Sequence, residues 1–226
     1  MLRIFIGYDP RQPVSYNVLQ QSLFSRSSKP VAITPLVIEQ LPIKRMGLTP
    51  FTYTRFLVPW LCDYQGWGLF LDLDMLLQDD IAKLFDLADE QYAVMVSQNE
   101  KRFEWASAML FNCAKCTVLT PEYIDNPRNE GLHQIRWSKQ EEIGDLPREW
   151  NHLVGYDKPR NDAKLIHYTQ GVPCFPETQT SEHAQVWRNE YDMVRGAVSW
   201  EELMGNSVHA AVLNGKKVPR YLVEKP

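Results

Sequence analysis

Between Leu69 and Leu77 seven residues in nine are apolar, and the two exceptions are Asp72 and Asp74. A continuous apolar run of this length reads as a strand buried on both faces, which requires a largely parallel sheet covered by helices. Side chains alternate along a strand, so both carboxylates are expected on one face. There they repel each other and lose hydration. A divalent cation resolves that conflict, and hard oxygen ligands suit magnesium, calcium or manganese. A bare D-x-D arises about 0.7 times by chance in a chain with this many aspartates, so the apolar strand around it carries the inference.

The neighbouring segments supply the rest of such a fold. Leu2, Ile4, Phe5 and Ile6, ended by Gly7, form a first strand. Tyr16, Leu19 and Leu23 fall at helical spacing after Pro13, and Val31 to Val37 is a second β-branched run. Phe56, Leu57, Trp60 and Leu61 predict one buried helical face. Asp79 and Asp80 stand where a helix N-cap is needed before Ile81, Leu84 and Phe85. Tyr92 to Val96, Ala108 to Phe111 and Leu165 to Tyr168 are further strands, and His183 to Val198 has a helical pattern. This alternation predicts an α/β fold with a mixed, mainly parallel sheet, whose ligands bind beyond the carboxyl ends of the strands.

Composition narrows the function. The 226 residues suit one domain, with 199–226 a peripheral C-terminal segment. Lys plus Arg number 24 against 28 acidic residues, a net charge of −4 that argues against a nucleic-acid binder. No apolar run approaches membrane-spanning length. The amino terminus enters a strand without a signal-peptide core, so a cytoplasmic location is expected. Lys216, Lys217, Arg220 and Lys225 raise the option of peripheral contact with an anionic membrane surface, with a solvated face as the alternative. Four cysteines are too few for a disulfide framework, and Cys113-Ala114-Lys115-Cys116 lacks the second pair of a zinc site, so its thiols read as structural.

Phe70-Leu71-Asp72-Leu73-Asp74 resembles the strand and D-x-D of nucleotide-sugar glycosyltransferases of the GT-A fold. It is most similar to the glycogenin and bacterial lipopolysaccharide galactosyltransferase group. Ile4 to Asp9 resembles that family's first strand and nucleoside-contacting loop. Phe51-Thr52-Tyr53-Thr54-Arg55-Phe56 resembles its tyrosine-x-arginine helix, and Leu146-Pro147-Arg148-Glu149-Trp150-Asn151 its leucine-proline-x-x-tryptophan-asparagine stretch. Ile166-His167-Tyr168-Thr169 resembles the late strand whose histidine completes the metal site. The chain departs from the pattern after it. Gln170 stands at the usual glycine position, and Val172-Pro173-Cys174 replaces lysine-proline-tryptophan, removing the lysine that contacts the donor diphosphate.

The resemblance implies a single GT-A-like domain and a metal-dependent hexosyltransferase. It would move a hexose from a nucleoside-diphosphate sugar, a UDP-sugar, to a hydroxyl of a saccharide, lipid-linked or protein acceptor, with retention of configuration. It implies Mn2+ or Mg2+ on Asp72, Asp74 and His167. Two aspartates with one histidine are also a common metal set on chemical grounds. Tyr8 can stack on the base and Asp9 accept base or ribose hydrogens, with a plain turn as the alternative. Arg55 either reaches donor oxygens or pairs internally with Asp72, and Asn112 either binds the donor sugar or caps its strand. The resemblance also places an amide or acid near the transferred sugar, where Gln134 is the first choice and Glu130 the second, against a plain polar loop. A sugar nucleotidyltransferase is the competing enzyme, although Tyr8-Asp9-Pro10-Arg11 is not a glycine-rich phosphate loop. A non-catalytic nucleotide-sugar binder is the third reading.

Overall fold

The computed structural model describes residues 1–99 and 102–199. The expected peripheral segment, apart from residue 199, and its four cations lie outside the described residues. Among the described residues the strands are β1 (Leu2–Gly7), β2 (Val31–Leu36), β3 (Trp67–Leu71), β4 (Met75–Leu77), β5 (Val94–Val96), β6 (Ala108–Asn112), β7 (Ile143–Asp145), β8 (His152–Leu153) and β9 (Leu165–His167). Six of them form one sheet in the order β2-β1-β3-β6-β5-β7. β1 runs parallel to β2 and β3, and β5 parallel to β7, while β6 runs antiparallel to both its neighbours. The sheet is therefore mixed with a parallel majority.

The Leu69–Leu77 run is not one strand. β3 ends at Leu71, and the Asp72 N–H still donates to the Ser107 carbonyl at 2.9 Å. The chain then turns through Leu73 and Asp74 and re-emerges as β4 in a second sheet of order β4-β9-β8. Leu73 stays buried in the main core. The two aspartates thus converge through a turn between sheets, which replaces the alternation expected of a continuous strand. Nothing in the apolar pattern marks this turn, because it contains neither Gly nor Pro.

Five α-helices lie among the described residues: α1 (Pro13–Arg26), α2 (Val58–Leu61), α3 (Ile81–Phe85), α4 (Pro121–Asp125) and α5 (Ala184–Val194). Pro13 opens α1, where its missing N–H costs no hydrogen bond. Leu19 and Leu23 enter the main core with Ile4, Ile6 and Leu69. Val18, on another side of the same helix, joins Leu76, Ile166, Tyr168 and Trp187 in a second cluster under the small sheet. α1 therefore binds both sheets. α2 is a single turn after a 3-10 turn at Thr54–Leu57, and Trp60 is 38% exposed, so it leaves the buried face expected for it. α5 begins one residue later than expected and stops four residues sooner.

Gly7 is fixed by a close approach. A Cβ there would lie 2.5 Å from ring atoms of Phe51, which sits directly on the end of β1. No helix among the described residues is long and apolar enough to cross a membrane.

Asp80 is the N-cap of α3, accepting from the Ala82 N–H at 2.9 Å and from the Ser28 N–H at 3.0 Å. Asp79 instead receives the Asp80 N–H and the Lys83 ammonium. Replacing Asp80 by Ala is expected to lower unfolding free energy by about 1 kcal/mol in urea melts, and Asp79→Ala by less.

Candidate active site

Strand direction decides which residues meet. Ile6 pairs with Leu71, so Gly7-Tyr8-Asp9 leaves the sheet beside Asp72. Ala108 also pairs with Leu71, so the antiparallel β6 brings its beginning, Trp105 to Ser107, to the same edge. Its end is elsewhere. Asn112 lies opposite Trp67, about 14 Å along the strand from that edge at roughly 3.4 Å per residue. Its amide donates to Glu90 Oε2 at 2.9 Å. The donor-sugar role expected of Asn112 is corrected by this register: apolar spacing marks a strand and says nothing of its direction.

β9 completes the cluster. Met75 pairs with His167, which places the His167 Nε2 3.3 Å from Asp74 Oδ1. Asp72, Asp74 and His167 each offer a ligand atom, and these atoms lie within 4.8 Å of one another. Asp72 and His167 are buried and Asp74 is partly so. Arg55 Nη2 lies 3.0 Å from Asp72 Oδ1, and its Nη1 donates to the Ala106 carbonyl at 2.7 Å. Arg55 is therefore the internal partner of Asp72 and also lines the adjacent cavity. The Asp72 contact is close in distance but does not have hydrogen-bond geometry. Asp72 Oδ1 and Asp74 Oδ1 are both buried without a hydrogen-bond partner.

The histidine's tautomer follows from its surroundings. Ser107 Oγ donates to the Glu104 carbonyl at 2.6 Å, so it accepts from Asn151 Nδ2 at 3.0 Å. The same Nδ2 faces the Glu104 carbonyl at 3.2 Å. The Asn151 oxygen then faces His167 Nδ1 at 3.2 Å, and that nitrogen must carry a proton. The Nε2 lone pair of a neutral ring consequently points at a carboxylate oxygen, an arrangement that needs a cation or a second proton between them. Burial drives the Asp72 carboxyl up to about 7 despite Arg55, with Asp74 adding to the rise. Burial opposes charge on His167, but Asp74 and Asp72 outweigh it and its pKa is raised. Two orphaned carboxylate oxygens and an imidazole nitrogen fit a divalent cation of the Mn2+ or Mg2+ type.

A cavity of about 1130 Å3 adjoins this cluster, lined by Arg55, Glu104, Trp105, His133, Gln134 and Tyr156 among others. Gln134 is exposed on its wall, carried there by a turn in which Gly131 has φ +78° and the Gln134 carbonyl accepts from Arg102 at 3.0 Å. Glu130 is exposed and does not line the cavity, so the second choice for the sugar-facing residue is set aside. Tyr8 is half-buried, edge-to-face with Tyr16 at 5.5 Å. Asp9 is fully buried. Its carboxylate receives the Arg11 N–H and both Nε and Nη2 of that side chain, at 2.6–3.1 Å. That pairing holds its carboxyl below the usual range and uses the oxygens assigned to a nucleoside.

Three residues of this site escaped the sequence pattern. Glu104 lines the cavity with φ 56° and its charge acts on both Asp72 and His167. Its only local mark is a position just ahead of an apolar strand. Asn151 lies in a recognised stretch, yet its task depends on three segments far apart in sequence. His133 packs edge-to-face on Tyr53 and Phe56. Burial and then Arg55 drive its pKa down to about 4.

No family model matches the chain. It is 37% identical to protein CDI of Arabidopsis thaliana over an alignment of 224 residues, covering 84% of this chain and 86% of that protein. Among solved structures it is similar to the bifunctional glycosyltransferase WbbM, with TM-score 0.65 and 14% identity. That match covers 84% of this chain and 49% of the other, so this chain spans about half of WbbM. The glycosyltransferase GlyE of Streptococcus pneumoniae TIGR4 superposes with TM-score 0.62 and 14% identity over 97% of this chain and 66% of that one. An active-site glutamine-to-glutamate mutant of LgtC superposes with TM-score 0.60 and 12% identity over 90% of this chain and 99% of that one. At these identities the likeness is one of fold, and the fold is GT-A-like, as the sequence led one to expect.

His133 generates a pH prediction. Its folded pKa of about 4 lies below the ordinary imidazole value of about 6.5, so the unfolded chain binds the extra proton first as pH falls. This contribution to stability is complete above 6.5 and is lost toward 4. Between pH 7 and pH 5 the loss is expected to be about 2 kcal/mol. His133→Gln should remove that part of the acid sensitivity in urea melts at the two pH values.

Proposed function

The chain belongs to the family of Arabidopsis thaliana protein CDI, and from its GT-A-like fold and the geometry at its sheet edge we propose that it is a metal-dependent glycosyltransferase. The donor is a nucleoside-diphosphate hexose, a UDP-sugar, and the acceptor a hydroxyl of a saccharide, a lipid-linked sugar or a protein, with retention at the anomeric carbon. The observation that carries this reading is the convergence of Asp72, Asp74 and His167, with two orphaned carboxylate oxygens, beside a cavity large enough for a nucleotide sugar.

Asp72, Asp74 and His167 would hold a divalent cation, which would supply positive charge to the diphosphate leaving group. Asn151 keeps the proton on His167 Nδ1 and so reserves Nε2 as a ligand. Arg55 holds Asp72 in place from the side of Ala106. Arg102 and Lys158 add fixed positive charge to the cavity wall. Tyr8, at the end of β1, presents a ring for the base. The Gln134 amide can bond sugar hydroxyls and steady charge at the anomeric carbon without a tuned pKa. The LgtC structure carrying an active-site glutamine mutation supports an amide in this role. Four free cysteines, three of them buried, fit a cytoplasmic location.

A specific observation favours a second reading. The family lysine is missing, which suits a protein that binds nucleotide sugars without turning them over. Incubation with a panel of UDP-hexoses and sugar acceptors, with Mn2+ or with chelator, separates the readings by mass spectrometry. Metal-dependent transfer or hydrolysis supports the enzyme, binding without product the non-catalytic binder, and pyrophosphate-dependent exchange a nucleotidyltransferase.

Two sets of variants test the assigned roles. Asp74→Asn should cut metal-dependent turnover by about 100-fold or more, with the melting temperature unchanged or raised because a repelling charge is gone. Gln134→Ala should lower kcat by about 10-fold with donor KM near wild type, whereas Tyr8→Ala should raise donor KM several-fold and spare kcat. The opposite split in steady-state kinetics would exchange the two roles.

A further inference from the structure

On β8, Leu153 pairs with His167 and His152 pairs with Ile166, so His152 projects to the opposite face of the small sheet from the Asp72, Asp74 and His167 cluster. There it meets the residues that lead into α5. His152 is fully buried, and its Nε2 lies 3.0 Å from Glu182 Oε2. The His183 Nε2 lies 3.1 Å from Glu182 Oε1. One ligand atom from each of the three falls within 4.8 Å of the other two. The Arg160 N–H fixes the carboxylate by donating to Glu182 Oε1 at 2.9 Å.

Hydrogen bonding alone leaves this cluster incomplete. His183 Nε2 is buried, faces the carboxylate and has no hydrogen-bond partner. His152 Nδ1 is likewise without one, at 3.8 Å from an Asp157 oxygen that Arg148 holds. We propose that His152, Glu182 and His183 form a second metal site, selective for zinc-class cations and separate from the Asp72 cluster. Two imidazoles with one carboxylate give borderline nitrogen donors a majority, which suits Zn2+ or Co2+ over Mg2+. His183 also lines a cavity of about 520 Å3 with Asp162, Lys164 and Gln78, which would give a cation a way in. The metal would tie β8 to the start of α5, whose Trp187 closes the second core. The site does not depend on the glycosyltransferase reading.

The test uses the full chain, stripped with chelator and dialysed, in an Asp74→Asn background that disables the other cluster. Zn2+ is titrated against a chromophoric chelator, and Co2+ is added separately for its visible spectrum. The Asp74→Asn protein is expected to bind one Zn2+, to give tetrahedral Co2+ bands and to melt several degrees higher with Zn2+. Adding His183→Asn, which tolerates the left-handed backbone at φ 59°, should weaken Zn2+ at least about tenfold and abolish the thermal shift. Glu182→Gln keeps an acceptor for Arg160 and should do the same, with circular dichroism confirming that both variants fold. Absence of Zn2+ binding in the Asp74→Asn protein, or binding unchanged by both further substitutions, overturns the proposal and leaves an ion-paired histidine cluster.

Discussion

The contact between Arg55 and Asp72 is the constraint around which the site is arranged. A carboxylate at the end of a fully apolar strand is costly to bury, and a partner removed from such a pair leaves an uncompensated charge worth about 3–5 kcal/mol. Arg55 meets that requirement from the 3-10 turn ahead of α2, and its second nitrogen bonds the Ala106 carbonyl. One guanidinium therefore fixes three elements against each other: the turn it stands on, the end of β3 and the approach to β6. Phe51 and Phe70 pack against it, so its position is set by apolar contacts as well as by charge. Their common edge is also where Gly7 lets Phe51 lie on the end of β1.

The reversed strand β6 gives this edge its particular content. In a wholly parallel sheet only strand ends would gather there. Here a strand beginning arrives as well, bringing Glu104 and Ser107 within reach of Asn151. The second sheet adds the other half. Because the chain leaves β3 at Asp72 and pairs β4 with β9, His167 reaches the aspartates from almost a hundred residues away. Asn151 then joins the two sheets through a single amide, facing β6 with its nitrogen and β9 with its oxygen.

Much of this was legible in the sequence for physical reasons that can be named. Leu69 to Leu71, Ile4 to Ile6 and the α1 residues Leu19 and Leu23 are buried, as their spacing required, because apolar patterning reports burial directly. Asp80 caps its helix because the cap is a local contact. What failed was directional or long-range. The turn at Asp72–Asp74 has no Gly or Pro to announce it. Periodicity is blind to strand direction, so it left the donor-sugar and strand-cap readings of Asn112 open, and the register puts that residue at the edge away from the site. Asp9 had an exposed arginine two residues away that claimed its oxygens, and Glu130 lay just outside a turn whose shape depends on positive φ at Gly131 and Ile135. Glu104 and Asn151 matter only through partners that the fold assembles.

The charge balance of the assembled site has a consequence for what occupies it. The charges of Asp74 and Glu104 both act on Asp72, and Arg55 is the cation paired with it, while His167 donates its Nδ1 proton to Asn151. Negative charge is therefore concentrated where Asp72 and His167 are buried, and the aspartates raise the pKa of His167 in turn. Burial is the larger reason that the Asp72 carboxyl rises to about 7 although it touches an arginine, and the neighbouring charges of Asp74 and Glu104 add to it. A divalent cation would relieve the same repulsion without a proton on any ligand, and two of its candidate ligand atoms, Asp72 Oδ1 and Asp74 Oδ1, otherwise lack hydrogen-bond partners. Under the proposed reading, two carboxylates and an imidazole suit a doubly charged hard ion in donor type, and the diphosphate of a nucleotide sugar would supply the counter-charge.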